Sequence, residues 1–289
     1  MVDHFESIRI LDNFYQTSSF FPMPIVLIST LAESGLTNLG PYSLVFPHMI
    51  ADEDKYAMML ITRADSNTAQ NIRRTQYCAI NFLPDEKKYL QNCVLLGYPG
   101  DTTEEKMKDS IFTLLPSARN IGENNTEYPE IVEEAFQVYE CTWDSSAPSK
   151  LVGGCENFLL RVEQILLKPK YKKAIIHGMD AKSFPRIPVG YGFRDNLNFW
   201  FTQSSKPFAY QIPESKGTSV NTVLYAAKRH DPTVEWMPEA AEKIVNVPRL
   251  FLRRVISGVV DAAKKEGVTV ITPDFMNKVR DKRNKEKEN

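Results

Sequence analysis

The chain has 289 residues, with 35 Lys and Arg against 36 Asp and Glu and a formal net charge of −1. Hydrophobic residues make up 43% and charged residues 25%, enough for a sizeable core that needs neither disulfide nor metal to fold. The balanced charge gives no electrostatic reason to expect nucleic acid as a partner. The 4 cysteines form no C-x-x-C pair for zinc or dithiol chemistry. No apolar run approaches the ~18 residues of a membrane span. The start, MVDHFESIRI, lacks a basic stretch followed by an apolar one, so the expected location is cytoplasmic, without membrane contact.

In chain order, PIVLISTL (Pro24–Leu31) reads as a strand and AESG (Ala32–Gly35) as a hairpin loop. LTNLGPYSLVF (Leu36–Phe46) has the apolar ends of a strand but an unusual centre of Asn38, Gly40, Pro41, Tyr42 and Ser43. Gly weakens a strand and Pro cannot donate to its ladder, so an edge or bulge is expected here. One reading is that Gly40 lets a flat ligand approach the backbone. The other is a bulge whose polar side chains satisfy local backbone groups. Further strands are expected at Tyr56–Thr62, Tyr77–Leu83, Phe136–Trp143, Glu156–Leu167 and Leu197–Phe201, and helix at Thr68–Thr75 and Glu104–Leu115. His177, in the apolar run AIIHGMD, reads as a core histidine. From Thr218 onward the pattern is helical throughout. Pro238, Pro248 and Pro273 are placed for first turns, Thr272 for an N-cap and Gly267 for a C-terminal cap. A domain boundary is expected within residues 212–235, giving domains of residues 1–215 and 216–289.

Chemistry concentrates in LITRADSNTAQNIRRTQYCAINF (Leu60–Phe82), a strand, a turn and a helix. A helix N-terminus offers free amides and partial positive charge, and phosphate is its usual guest. Arg63 adds a full charge and a bidentate fork, while Ser66, Asn67 and Thr68 add side-chain donors. A capped helix beside a solvated arginine has the same residues, so this segment alone leaves both readings open. No Ser-His-Asp, Cys-His or paired-carboxylate arrangement stands out, so no catalytic side chain is expected.

Taken together, PMPIVLISTLAESGLTNLGPYSLVF and MMLITRADSNTAQNIRRTQYCAINFL resemble the flavin reductase-like, FMN-binding split-barrel family. The features that carry the resemblance are Pro22 and Pro24, Gly35, Asn38, Pro41-Tyr42-Ser43, Thr68-x-x-Asn71-Ile72 and Asn81-Phe82. The segment YPEIVEEAFQVYECTW extends it. The resemblance implies a mainly β fold, a six-stranded split barrel with peripheral helices, that binds FMN at a homodimer interface. It implies that the strand holding Asn38, Tyr42 and Ser43 lines the ribityl chain and rings. It places Ser29 and Thr30 beside the rings and Thr62, Arg63, Thr68 and Asn71 at the phosphate. It also implies a flavin reductase drawing on NAD(P)H and passing electrons to a redox partner. Many such reductases carry a His before the strand that corresponds to FLLRVEQILL. This chain has GGCENF (Gly153–Phe158), which fits a flavoredoxin-like electron carrier without its own NAD(P)H site. A barrel that serves as a non-flavin interaction module is the third reading. Residues Trp236–Met276 resemble the C-terminal domain of the light-independent protochlorophyllide reductase B subunit, which implies a small all-α domain with no catalytic residue of its own.

Overall fold

Aliphatic and β-branched runs between residues 26 and 167 pair into one antiparallel sheet in the computed structural model. The structure describes residues 7–11, 14–52, 55–97, 101–120, 128–147, 151–152, 154–177, 184–193, 199–202, 220–247 and 249–288. The chain divides into two compact units, one of residues 1–50 and 55–208, the other of residues 51–54 and 209–289.

The first unit runs α1 (Phe14–Thr17), β1 (Met23–Pro24), β2 (Val26–Leu31), β3 (Thr37–Tyr42), β4 (Val45–Asp52), β5 (Lys55–Arg63) and α2 (Asn67–Thr75). It continues through β6 (Tyr77–Phe82), α3 (Lys87–Leu96), α4 (Thr103–Met107), β7 (Leu114–Leu115), β8 (Ile131–Val132) and β9 (Gln137–Trp143). β10 (Leu151–Val152), β11 (Cys155–Leu167), α5 (Pro169–His177), β12 (Val189–Phe193) and β13 (Phe199–Thr202) complete it. The main sheet has the order β3-β2-β6-β9-β11-β5-β4, with β10 folded onto β11. End strand β3 reaches β5 where the Tyr42 hydroxyl bonds the Thr62 hydroxyl at 3.0 Å, and the Ile61 amide of β5 donates to the Leu44 carbonyl just before β4 at 3.0 Å.

β2 is buried on both faces, which is why PIVLISTL is almost continuously apolar. Val26 and Ile28 face the barrel interior with Leu60, Ile80, Cys141, Phe158 and Leu160. Ala69 and Ile72 of α2 join that cluster. Leu27 and Leu39 face the other way, into a layer with Leu90, Cys93 and Leu96 of α3. Pro41 lies on the end strand β3, whose one ladder partner is β2, so its missing N–H breaks no ladder bond.

The expected six strands become eight. The chain bends at Ser43 and resumes pairing as β4, and Gly154, at φ +78°, turns β10 back onto β11. The expected helix over Glu104–Leu115 ends at Met107. Asn92 takes over the backbone beyond it: its Nδ2 donates to the Asp109 carbonyl at 2.7 Å and its Oδ1 accepts from the Ile111 amide at 3.2 Å. Leu114–Leu115 then pairs with β8. Of the apolar run AIIHGMD, residues 178–180 lie outside the described residues. Ala174 to His177 end α5, where Ile175 and Ile176 are exposed, and the His177 side chain lies outside the described residues. Residues 197–198, at the start of the expected strand LNFWF, also lie outside them.

The second unit contains α6 (Val220–His230), β14 (Glu235–Trp236), α7 (Pro238–Glu242), α8 (Arg249–Lys265), β15 (Val270–Ile271) and α9 (Pro273–Glu288). Pro238 and Pro273 open their helices, Thr272 accepts from the Phe275 amide at 3.2 Å, and Gly267 takes φ +68° beyond α8. Pro248 and residues 203–219 lie outside the described residues. The unit is not all-α. Glu235 and Trp236 pair in parallel with Val270 and Ile271, because short polar links leave two stretches whose amides no helix satisfies. Val223, Ile256, Val260, Ile271 and Phe275 form its core, with Trp236 packed against it.

Candidate functional site

β5 ends at Arg63, a tight turn follows, and α2 begins at Asn67. Ser66 is the N-cap, accepting from the Ala69 amide at 3.1 Å. The Asn67 and Thr68 amides find no acceptor among the described residues, as expected of a first helical turn. They open onto a cavity of about 150 Å³. Tyr42, Arg63, Thr68, Gly97, Asp101 and Lys106 are among the residues lining it.

Two cations therefore face this helix end. Arg63 is half exposed, with Asp65 at 3.9 Å as a loose partner. Lys106 comes from α4 and finds no carboxylate within ion-pair distance among the described residues. Burial brings the Lys106 ammonium down to about 8, against the opposing pull of Asp101 and with a smaller push from Arg63. An ammonium dried out beside a guanidinium favours an anion between them.

The expected site residues fall into three groups. Tyr42, Arg63 and Thr68 line the cavity. Thr30, Asn38, Thr62 and Asn71 are buried directly behind it. Asn38 Nδ2 donates to Thr30 Oγ1 at 3.3 Å and to Thr68 Oγ1 at 3.4 Å, and Asn71 Nδ2 donates to Thr30 Oγ1 at 3.1 Å. Thr62 and Ser66 share a hydrogen bond of 2.7 Å, and Tyr42 donates to Ser66 at 3.2 Å. These four buried side chains hold Thr68, Tyr42 and the cap in place. Ser29 and Ser43 form the third group and do not line the cavity. Ser29 points to the α3 side and accepts from Asn81 Nδ2 at 2.7 Å, and Ser43 sits in the bend between β3 and β4.

Gly40 has a different role from ligand approach alone. A Cβ there would lie 2.6 Å from Thr68 Oγ1 and 2.8 Å from the Tyr42 ring. The space is taken by the chain's own side chains, and the glycine lets β3 pack tightly against α2. Lys106 was missed because its helix spans only Thr103–Met107, and its position over the cavity depends on tertiary ties. Asn67 Nδ2 donates to the Asp101 carbonyl at 3.0 Å, and Thr103 Oγ1 donates to Asn38 Oδ1 at 3.5 Å.

No protein-family model and no curated protein sequence matches the chain. Solved structures do. The 2-nitrobenzoate 2-nitroreductase NbaA of Pseudomonas fluorescens aligns with a TM-score of 0.53 at 16% identity, over 73% of this chain and 97% of that one. Flavoredoxin from Methanosarcina acetivorans gives 0.52 at 15%, over 73% and 98%. An FMN-binding protein of Thermus thermophilus, crystallised with 1-cyclohex-2-enone, gives 0.50 at 15%, over 72% and 100%. This chain shares their fold. At these identities the likeness establishes architecture, and the chemistry has to be argued from the site. Among the described residues no group of three His, Cys, Asp or Glu could hold a metal ion, and no helix is long and apolar enough to cross a membrane.

Proposed function

We propose that the protein is an FMN-binding oxidoreductase of the flavin reductase type. The observation that carries this reading is the cavity at the α2 N-terminus, where free amides, Arg63, Thr68 and Lys106 converge in a fold shared with flavin-linked proteins. The donor set fits a phosphate. At about 150 Å³ the cavity is smaller than the ~300 Å³ of pockets that enclose whole ligands, so it takes the phosphate end and leaves the rings outside. A second copy of the chain covering those rings is the homodimer that the resemblance implies.

Bound FMN would supply hydride and electron chemistry at its ring system, and the protein's part is to bind and orient it. Arg63 and Lys106 balance the phosphate charge. Thr68 and the Asn67 and Thr68 amides donate to its oxygens. The network of Thr30, Asn38, Thr62 and Asn71 keeps those donors from turning inward. None of these groups needs to gain or lose a proton during turnover.

A second reading, an electron carrier without its own NAD(P)H site, is favoured by the start of β11. Cys155 stands opposite Arg63 in the ladder, and Glu156 is tied to Arg73 on α2. No imidazole occurs in Gly153–Phe158 to meet a nicotinamide. One cuvette experiment separates the readings. Purified protein incubated with FMN and desalted should keep the visible flavin band. Anaerobic bleaching by NADH or NADPH then supports the reductase, and bleaching only by dithionite supports the carrier. Protein that stays colourless overturns both and leaves the interaction module.

A further inference from the structure

We infer that Lys106 is the residue that makes this site select a phosphomonoester dianion, and therefore FMN over riboflavin and FAD. The inference rests on the flavin reading only for what carries the phosphate.

The cavity holds more positive charge than a helix end needs. A bare α2 N-terminus with Arg63 would suit any monoanion. Lys106 adds a second full charge from a separate element, facing Arg63 across the cavity rather than solvent. Two like charges lining one cavity repel each other, and the pair is relieved by a guest with two negative charges. A phosphomonoester has them above its second pKa of about 6, whereas each phosphate of a dinucleotide bridge has one. In a cavity of about 150 Å³ the guest's phosphate is the part enclosed, so its charge is what the two cations read. Riboflavin would bring no negative charge to either cation.

Lys106 is held in this position by more than its own chain. Thr102 and Glu105 form a reciprocal capping box at the start of α4. Thr103 is anchored to Asn38 on β3, and Asp101 to Asn67 on α2. The backbone that carries Lys106 is therefore fixed beside the cavity, and only its side chain has to be ordered by a guest. Asp101 is the acidic residue among those lining the cavity; it supports the charge of Lys106 and opposes the guest.

The pH dependence follows from the same groups. Arg63, Asp101 and Lys106 are the charged groups lining the cavity, and burial brings the Lys106 ammonium down to about 8. Affinity for a phosphomonoester is then highest between about pH 6, where the guest becomes a dianion, and pH 8, and falls above that.

The test titrates the full chain with FMN, riboflavin, FAD and inorganic phosphate, following flavin fluorescence for the first three and ³¹P line width for the last. We expect wild type to prefer FMN to riboflavin. Lys106→Met should weaken FMN and phosphate about tenfold or more while leaving riboflavin within twofold. Lys106→Arg should restore FMN binding and flatten the loss above pH 8, a readout that a purely structural lysine would not give. Equal losses for FMN and riboflavin in Lys106→Met, or superimposable pH curves for wild type and Lys106→Arg, would overturn the inference. Should phosphate bind through Lys106 while no flavin does, the flavin reading fails and the role of Lys106 stands. Should FMN and riboflavin bind equally well and Lys106→Met change neither, the role of Lys106 fails and the flavin reading stands.

Discussion

Arg73 on α2 forms a direct ion pair with Glu156 on β11, and its second terminal nitrogen donates to the Ala64 carbonyl at 2.9 Å. One guanidinium thus fastens the helix, the first strand residues after the β10 turn, and the turn that carries Arg63. Glu156 is 9% exposed and Arg73 39%, so the pair is neither dry nor freely solvated.

Removing the acidic partner should therefore cost stability without unfolding the barrel. Glu156→Gln is expected to lower unfolding free energy by about 1–2 kcal/mol in urea, between the values for exposed and buried pairs. An unchanged midpoint would mean that the pair adds nothing.

Gly40→Ala tests the packing of β3 on α2. The new methyl group would press on Thr68 Oγ1, on a stiff β-branched side chain, and on the Tyr42 ring. Overpacking of this kind costs about 1–3 kcal/mol. Because both displaced groups line the cavity, FMN affinity should fall as well. Adding Thr68→Ala should recover part of the stability but not the affinity, as read by thermal unfolding and flavin titration of each variant.

The four cysteines should separate by reactivity. Cys78 and Cys141 face each other across β6 and β9 in the barrel interior, and burial pushes the Cys93 thiol up to about 12. Cys155 is partly exposed beside Arg63. A thiol reagent under native conditions should modify Cys155 well before the other three, and FMN should slow it. Rapid labelling of two or more positions in peptide mass spectrometry would contradict this.

In the second unit, Asp231 accepts from Lys264 at 2.5 Å, from the Thr233 amide at 2.9 Å and from its hydroxyl at 2.6 Å. These partners hold its carboxyl down to about 2, led by the Lys264 bond. A depressed carboxylate pKa stabilises the fold above its unfolded value and loses that contribution as pH falls through the folded one. The difference in melting temperature between wild type and Asp231→Asn should be fully present at pH 7. It should shrink between about pH 4 and pH 2. A constant difference would mean that the charge plays no part.

Much of the barrel was legible because β2 and β6 bury both faces and read as near-continuous apolar runs. The Thr272 and Gly267 caps were legible because capping is a local bond, and Ser66, one of two candidates beside Asn67, proves to be the cap of α2. What escaped was set by side chains reaching across sequence. Asn92 ends the helix expected through Leu115 by binding backbone at 109 and 111, and no local pattern announces that. Lys106 is one charge in a short helix, and it is Asn38 and Asn67, bonded to Thr103 and Asp101, that hold its segment beside the cavity. Gly40 was correctly marked as a close-approach position, but the neighbour that requires it is Thr68.

The pairing of Glu235–Trp236 with Val270–Ile271 bears on the order of events during synthesis. A barrel whose strands end at Leu167 can close as soon as β11 has left the ribosome. The helical unit cannot, since the strand that completes its small ladder and the Phe275 that seals its core come after α8. Its earlier helices must wait, apolar faces open, until β15 and α9 have emerged, and over that interval a chaperone would find them exposed.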